Sequence, residues 1–161
     1  MMEILKLSSN EAMRFKAIRL RSLLESPDAF GTKFETANNW NDENWISQVQ
    51  KMHTFIATID GPDVGVVRLV KDENNSEIAW IISMWIAPEA RGKKVGSKLL
   101  QFVIEFAKKE RFKSLKLDVV DSNQAAILLY EHHGFSRNGI VGNFPAPREY
   151  ISEHQRELNL N

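Results

Sequence analysis

The chain contains no cysteine among its 161 residues. A disulfide framework, a thiolate zinc site and a cysteine nucleophile are therefore excluded, and the composition is compatible with a reducing compartment. Net charge is also absent, because 21 Lys and Arg residues balance 21 Asp and Glu residues. The overall charge gives no reason to expect a nucleic-acid or membrane-surface partner, so any basic patch has to be local.

Long apolar runs are absent too, and the chain starts with the charged stretch "MME". Neither a signal peptide nor a transmembrane helix fits such a sequence. No internal repeat, low-complexity linker or domain boundary is visible, and the length suits one domain with a sizeable core. We therefore expect residues 1–161 to form a single domain of a soluble, cytoplasmic protein.

Hydrophobic periodicity predicts the secondary structure. Helices are expected in "SSNEAMRFKAIRLRSLLE", "NDENWISQVQKM", the stretch from Val95 and "SNQAAILLYEHHGF"; Ser8 and Glu11 have capping-box spacing, and Asn41 or Asp42 suits an N-cap. Two strands around a proline-containing loop are predicted for the tail. Alternation and apolar runs predict further strands at Glu3–Leu7, Thr54–Ile59, Val64–Val70, Ile78–Ile86 and Ser114–Val120. The longest, "IAWIISMWI", is expected at the centre of a mixed α/β sheet.

The stretch "APEARGKKVGSKLLQF" connects that strand to a helix. A helix N-terminus presents unpaired N–H groups and the positive end of the helix dipole. Gly92 and Gly96 remove side chains where an anion would approach, and Arg91, Lys93 and Lys94 add positive charge. The stretch favours a pyrophosphate site, although neither the P-loop nor the G-x-G-x-x-G spacing is present. The alternative is a basic helix start whose glycines only ease helix packing.

The segment "MWIAPEARGKKVGSKLL" resembles the acyl-CoA-binding motif of the GNAT superfamily of N-acetyltransferases, whose pattern is Arg or Gln, x, x, Gly, x, Gly or Ala. Arg91 and Gly96 match the ends of this pattern. Lys94 replaces the middle glycine, which is a departure from it. "SLLESPDAFGTKFE" is similar to a segment of bacterial members in the region that helps to shape the acceptor site.

A second segment, "NQAAILLYEHHGF", matches another signature of the same superfamily at every specified position. The matching residues are Asn123, Ala126, Leu129, Tyr130, Gly134 and Phe135. The resemblance implies a GNAT-like fold: a mostly antiparallel mixed sheet of about six or seven strands, splayed at the cofactor site and flanked by about four helices. It also implies acetyl-CoA as co-substrate and no metal. His132 and His133 are adjacent on a helix and cannot chelate one ion together.

The resemblance also assigns roles to residues of the two motifs. Arg91, Gly92, Lys93, Lys94, Val95, Gly96 and Ser97 would surround the CoA diphosphate, and the backbone of Met84, Trp85 and Ile86 would pair with the pantetheine arm. Asn123 would hydrogen-bond that arm, and Tyr130 would protonate the departing thiolate. A phenol is protonated at neutral pH, so the acid role is chemically reasonable. A core tyrosine with a satisfied hydroxyl is the alternative.

The general base is less clearly indicated. Glu77 is the candidate by analogy and Glu35 a second, but the family's strand glutamate aligns with Trp80, so a bulge would be needed to bring Glu77 into register. Aromatic side chains at Phe30, Phe34, Trp40 and Trp45 can line an acceptor pocket or belong to the core.

The sequence thus predicts an acetyl-CoA-dependent N-acetyltransferase that moves an acetyl group to a primary amine of a small molecule by direct attack. A protein N-terminal or lysine acetyltransferase remains an alternative, as does a catalytically silent acyl-CoA-binding module. No nucleic-acid or membrane partner is expected. Homodimerisation through the tail strands is an expectation by analogy with the family.

Overall fold

The computed structural model describes all 161 residues as seven strands in one sheet and five α-helices. The helices are α1 (Ala12–Glu25), α2 (Phe34–Asn38), α3 (Asp42–Lys51), α4 (Val95–Lys109) and α5 (Gln124–His132). The strands are β1 (Met2–Lys6), β2 (His53–Ile59), β3 (Asp63–Lys71), β4 (Ile78–Ile86), β5 (Ser114–Val120), β6 (Ser136–Asn143) and β7 (Ser152–Asn159).

The strand order in the sheet is β1-β2-β3-β4-β5-β7-β6. Neighbouring strands are antiparallel except β4 and β5, which are parallel and are connected through α4. A parallel connection requires such a crossover, because the chain has to return to the starting end of the sheet. The predicted mostly antiparallel mixed sheet with flanking helices is confirmed, and β4 lies at its centre.

Most predicted elements have the expected bounds. The strands Ile78–Ile86 and Ser114–Val120 match residue for residue, and the tail forms two strands around a loop that contains proline. Asn41 is the N-cap of α3, where its side-chain oxygen accepts from the N–H of Asn44 at 2.9 Å. The short helix α2 was not predicted, because five mostly polar residues carry little helical periodicity.

The two halves of the sheet separate along β4 and β5. These strands pair only from Ile78 with Ser114 to Trp80 with Lys116, and beyond this point β4 has no partner strand on its β5 side. A bulge on the opposite edge of β4 accompanies the separation, since Ser83 and Met84 together face one residue of β3, and Ser83 has a φ of +60°. Bulges bend a strand and increase its twist. The predicted splay is therefore present.

Helices cover both faces of the sheet. On one face α4 buries an apolar stripe that runs from Val95 to Ala107, and on the other α1 and α3 bury Phe15 and Trp45, whose rings meet edge to face at 5.6 Å. Apolar burial at helical spacing is what holds these helices to the sheet. Because β4 leads into α4 and β5 leads into α5 at their unpaired ends, the starts of both helices lie beside the splay.

Candidate functional site

A cavity of about 550 Å³ fills the gap between the separated strands. Its walls come from β4, β5, one side of α5, the loop after α1 and Arg91 in the loop before α4. Thirteen of its 21 lining residues are hydrophobic, which suits an extended organic ligand with few polar anchors. The lining residues are Ser26, Pro27, Asp28, Ala29, Phe30, Ile81, Ile82, Ser83, Met84, Trp85, Ile86, Arg91, Asp118, Val119, Val120, Ser122, Asn123, Ala125, Ala126, Leu129 and Tyr130.

The loop before α4 presents six consecutive backbone N–H groups, from Gly92 to Ser97, that donate to no protein acceptor. Gly92 has a φ of +77°, a conformation that glycine adopts without steric cost. The side chains of Arg91, Lys93 and Lys94 around this loop are not buried. Unpaired donors at a helix N-terminus with adjacent cations are what binding of a phosphate requires.

Gly96 allows close packing between α4, α5 and β4. A Cβ atom at this position would lie 3.2 Å from Leu129 Cδ2 of α5 and 3.6 Å from Ile86 Cγ1 of β4. The missing side chain thus points toward α5 and β4 and lets α4 come close to both. Of the two interpretations of this glycine from the sequence, the packing interpretation is directly visible in the structure. Gly92 has open space around it instead.

Arg91 is fixed in place rather than mobile. Its Nε donates to the carbonyl of Ile86 at 3.0 Å and its Nη2 to Glu25 Oε1 at 2.6 Å. Hydrogen bonds from the hydroxyl of Ser26, from Arg91 and from the indole of Trp85 lower the pKa of Glu25 to about 2. Of the three basic residues expected to add positive charge, Arg91 thus has its charge paired with Glu25, and these contacts tie the end of α1 to the end of β4. They also occupy the Ile86 carbonyl that the resemblance assigns to the pantetheine arm.

Lys94 adopts the left-handed conformation, with a φ of +65°, where the family pattern has glycine. We expect Lys94→Gly to raise the free energy of unfolding by about 0.5–1 kcal/mol, because relief of the left-handed conformation outweighs the added flexibility of the unfolded chain. Lys93→Gly is the matched control, since Lys93 has no positive φ, and it should lose about 0.5–1 kcal/mol. Denaturant unfolding measures both; equal losses in the two variants would contradict the account.

Tyr130 lies on α5 with its side chain buried at the wall of the cavity. Its ring packs edge to face against Phe135 with a centroid separation of 5.9 Å, and no protein group hydrogen-bonds its hydroxyl. Burial raises the pKa of Tyr130 above the ordinary value of a phenol, so the hydroxyl keeps its proton at neutral pH. The core alternative with a satisfied hydroxyl does not describe this residue.

Asn123 is the N-cap of α5 and also lines the cavity. Its Oδ1 accepts from the N–H of Ala126 at 3.2 Å, which leaves the side-chain NH₂ as the group that is free to meet a ligand. The hydroxyl of Ser97 lies 3.1 Å from His133 Nε2, while His133 Nδ1 lies 2.9 Å from the carbonyl of Leu129. A carbonyl only accepts, so Nδ1 carries the proton. These contacts join the start of α4 to the C-terminal end of α5.

Glu77 lies away from the cavity. It precedes β4 at the end where β4 still pairs with β5, and its carboxylate forms a surface ion pair with Lys113 at 3.3 Å. The bulge in β4 adds one residue, which is less than the three needed to move Glu77 into register. Glu35 faces a separate cleft beside α2. The structure therefore corrects the expectation that either carboxylate reaches the site.

Asp118 is the site residue that sequence reasoning missed. It projects from β5 into the cavity, and the only other carboxylate on the cavity wall is that of Asp28. Although Asp118 is open to solvent through the cavity, desolvation by the surrounding protein raises its pKa, an effect that the facing Gln155 partly offsets. Desolvation, together with the charges of Asp118 and Asp121, also raises the pKa of Glu153. A carboxylate in such surroundings is suited to accept a proton.

The loop after α1 forms the remaining wall and is held by Arg148. This side chain donates to the carbonyls of Pro27 at 2.9 Å, Phe30 at 3.2 Å and Gly31 at 2.8 Å, and it stacks on Phe144. Three hydrogen bonds from one guanidinium fix the loop against the segment between β6 and β7. Among the four aromatic residues considered for the acceptor pocket, Phe30 alone lines the cavity.

No group of three or more His, Asp or Glu side chains is arranged to hold a metal ion. None of the helices combines the length and the apolar character needed to cross a bilayer.

The sequence of this chain is similar to a known protein family and to curated proteins. A family model described as "Acetyltransferase (GNAT) family" matches residues 19–135. The "Probable N-acetyltransferase camello" of Xenopus laevis is 32% identical over 84 residues, which are 52% of this chain and 38% of that protein. The chain thus spans well under half the length of this curated relative.

Solved structures match over nearly the whole chain. "The crystal structure of the acetyltransferase of GNAT family from Streptococcus pneumoniae" superposes with a TM-score of 0.87 at 22% identity, covering all of both chains. The "Structure of yncA, a putative ACETYLTRANSFERASE from Salmonella typhimurium with its cofactor Acetyl-CoA" has a TM-score of 0.83 at 15% identity and covers 100% of this chain and 95% of that one. At these identities the likeness establishes the fold.

Proposed function

The chain belongs to the acetyltransferase (GNAT) family, and from this membership we propose that it transfers the acetyl group of acetyl-CoA to a primary amine of a small molecule. The family model covers residues 19–135, a range that includes both motifs and every residue that lines the cavity. The observation that carries the proposal is the row of six unpaired N–H groups from Gly92 to Ser97, placed beside a cavity of about 550 Å³.

The residues of the site fit acetyl-CoA as substrate. The N–H groups from Gly92 to Ser97 would hold the diphosphate, and Lys93 and Lys94 would add charge near it. The pantetheine arm would follow the unpaired edge of β4 through Met84 and Trp85, whose side toward β5 has no strand partner. The free NH₂ of Asn123 would donate to the arm from the opposite wall.

The reaction is direct attack of the amine nitrogen on the thioester carbonyl carbon. A C–N bond forms and the C–S bond breaks. An acceptor that binds as an ammonium gives up one proton before the attack and a second from the nitrogen after it, and the thiolate takes up one proton. Asp118 is the proposed proton acceptor, because its carboxylate faces the cavity and has a raised pKa. Tyr130 is the proposed donor to the thiolate, because its buried hydroxyl is protonated and has no protein partner. The remainder of the rate enhancement comes from positioning the two reactants.

A turnover screen tests this proposal. The protein is mixed with acetyl-CoA and a panel of free amines, N-terminal peptides and folded lysine-containing proteins, and release of the CoA thiol is followed. We expect thiol release that depends on a small-molecule amine. Turnover on folded proteins alone would reject the small-molecule acceptor, and binding of acetyl-CoA without turnover on any amine would identify a binding module.

A further inference from the structure

We infer that Arg19 and Arg68 form an anion-binding subsite beside the cavity, and that the acceptor amine carries a carboxylate which this subsite binds. The inference rests on the proposed function, which identifies the cavity as the site of acetyl transfer. The negative charge of the ligand is inferred from the two arginines alone.

Arg19 is a buried cation without a partner. It projects from α1, its residue is only 5% exposed, and no protein acceptor takes a hydrogen bond from any nitrogen of its guanidinium. Its Nη1 is completely buried and unpaired. The guanidinium instead stacks on the ring of Phe30 at 4.6 Å. A buried guanidinium with five unused donors is costly, and it is unusual unless a ligand completes its surroundings.

Arg68 lies on β3 and is buried to a similar extent, at 6% exposed. It donates to Ser83 Oγ at 2.9 and 3.0 Å and to Gln48 Oε1 at 2.8 Å, and it stacks on Phe15 at 4.6 Å. All of these partners are neutral. Arg68 therefore has hydrogen bonds but no compensating negative charge.

Arg68 stacks on Phe15, and Arg19 follows Phe15 by one turn of α1, so the two guanidiniums lie on the same face of this helix. No carboxylate lies within ion-pair distance of either. Neither forms an ion pair, although Arg14 and Arg21 on the same helix α1 both do. Desolvation lowers the pKa of Arg19 to about 10, and desolvation together with the charge of Arg19 lowers that of Arg68 to about 9. Two adjacent buried cations repel each other, and a bound anion would relieve both the repulsion and the desolvation.

The position of the pair connects it to the transfer site. Arg19 stacks on Phe30, and Arg68 donates hydrogen bonds to Ser83. Both Phe30 and Ser83 line the cavity. Ile82, the register partner of Arg68 on β4, lines it as well. The guanidiniums themselves lie behind this wall, so an acceptor in the cavity would face their charge across Phe30 and Ser83. It would reach Arg19 or Arg68 once these side chains yield, with the carboxylate of Asp118 on the β5 side. This polarity suits a molecule with an ammonium group at one end and a carboxylate at the other.

Carboxylate is the anion assigned, because its planar pair of oxygens matches the guanidinium fork. The test compares glycine, β-alanine, γ-aminobutyrate and the α-amino acids, each beside its carboxamide, which keeps the amine and removes the negative charge. Two readouts are taken: the rise in the thermal unfolding midpoint and kcat/KM from thiol release. O-phosphoethanolamine is compared with ethanolamine in the same way, to test whether the subsite prefers a phosphate to a carboxylate.

We expect at least one carboxylate to raise the midpoint of the wild type more than its carboxamide does, and to have a kcat/KM about tenfold or more above it. In Arg19→Met both preferences should disappear, while the midpoint of the ligand-free variant stays equal to the wild type or rises, because an unpaired buried charge has been removed. A structural role for Arg19 would lower the midpoint instead. Arg14→Met, which removes a paired arginine from the same helix, should keep the preference for the carboxylate.

The inference is overturned if no carboxylate raises the wild-type midpoint more than its carboxamide, or if the preference survives in Arg19→Met. A larger effect of O-phosphoethanolamine than of every carboxylate would overturn the choice of carboxylate. Binding of acetyl-CoA, read from the same midpoint, separates this inference from the proposed function. A midpoint that responds to a carboxylate but not to acetyl-CoA would leave the anion subsite standing and reject the transferase.

Discussion

The Tyr130→Phe variant is expected to bind acetyl-CoA as the wild type does and to lose about a hundredfold to ten-thousandfold in kcat, the usual contribution of a positioned general acid. The substitution removes a hydroxyl that has no protein hydrogen bond, so the fold loses no contact through it, and the ring keeps its packing on Phe135. Calorimetric binding and thiol-release kinetics on the same preparation separate the two effects.

Tyr150→Phe is the matched control for this variant, because the chain has two tyrosines and Tyr150 is 72% exposed away from the cavity lining. It should retain the wild-type kcat. Equal kcat in Tyr130→Phe and wild type would remove the acid role from Tyr130. Loss of acetyl-CoA binding in Tyr130→Phe would show instead that the hydroxyl acts in binding.

The Asp118→Asn variant is expected to lose about a hundredfold or more in kcat/KM, since the amine proton no longer has a carboxylate to receive it. In the wild type, kcat/KM should fall as the pH drops through the raised pKa of Asp118, because the protonated carboxyl cannot accept. The acid limb due to Asp118 should be missing from the variant, whose remaining pH dependence follows the ionisation of the amine. A pH profile of both proteins measures this difference.

Stability should change in the opposite direction to activity. The pKa of Asp118 is raised in the folded protein, so between the unfolded and folded pKa values only the folded form holds the proton, and stability falls as the pH rises through that window. At neutral pH the folded protein bears the full free-energy cost of desolvating the ionised Asp118 carboxylate. Asp118→Asn removes this cost and should unfold at a higher temperature than the wild type. Asp28→Asn, at the other carboxylate of the cavity, is the control and should keep the acid limb. An unchanged pH profile in Asp118→Asn would reject its role.

Much of the fold could be predicted from the sequence where one signal dominated. "IAWIISMWI" is a continuous apolar strand, and its bounds at Ile78 and Ile86 agree with the structure. Helix α4 was equally clear, since apolar residues from Val95 onward recur at helical spacing. Residues of both motifs, Arg91 from the first and Asn123 and Tyr130 from the second, line one cavity. The hydrophobic pattern was sufficient to predict these elements because the residues it marks as apolar are the ones that the folded protein buries.

The rest of the site depends on tertiary placement that no local pattern contains. Asp118 occupies a polar position in an alternating strand, which predicts a solvated side chain, and only the separation of β4 from β5 brings it into a cavity. Arg19 has the appearance of one more charged residue on the surface of a helix, yet it is buried. Glu77 illustrates the reverse case, since its position along the chain suggested the site but its place at the paired end of β4 excludes it.

Asp118, Arg19 and Arg68 have a common property. Each is a charged group whose pKa is displaced in the direction that burial produces, and each lies on or next to the cavity wall. Charges that cost stability without a partner in the protein are expected where a ligand supplies the partner. The amine of the acceptor would do so for Asp118, and its carboxylate for the two arginines.

A calorimetric titration with acetyl-CoA, set beside one with acetyl-pantetheine, tests the central claim that the unpaired N–H groups from Gly92 to Ser97 hold the diphosphate of the acetyl donor. Acetyl-pantetheine retains the thioester and the arm but lacks the diphosphate and the 3′-phosphoadenosine that the diphosphate carries, so adenosine 3′-phosphate is titrated as the control for the nucleotide's own binding. The account predicts saturable binding of one acetyl-CoA per chain and binding of acetyl-pantetheine that is about tenfold or more weaker. Absence of acetyl-CoA binding, or equal affinity for the two compounds, would contradict it.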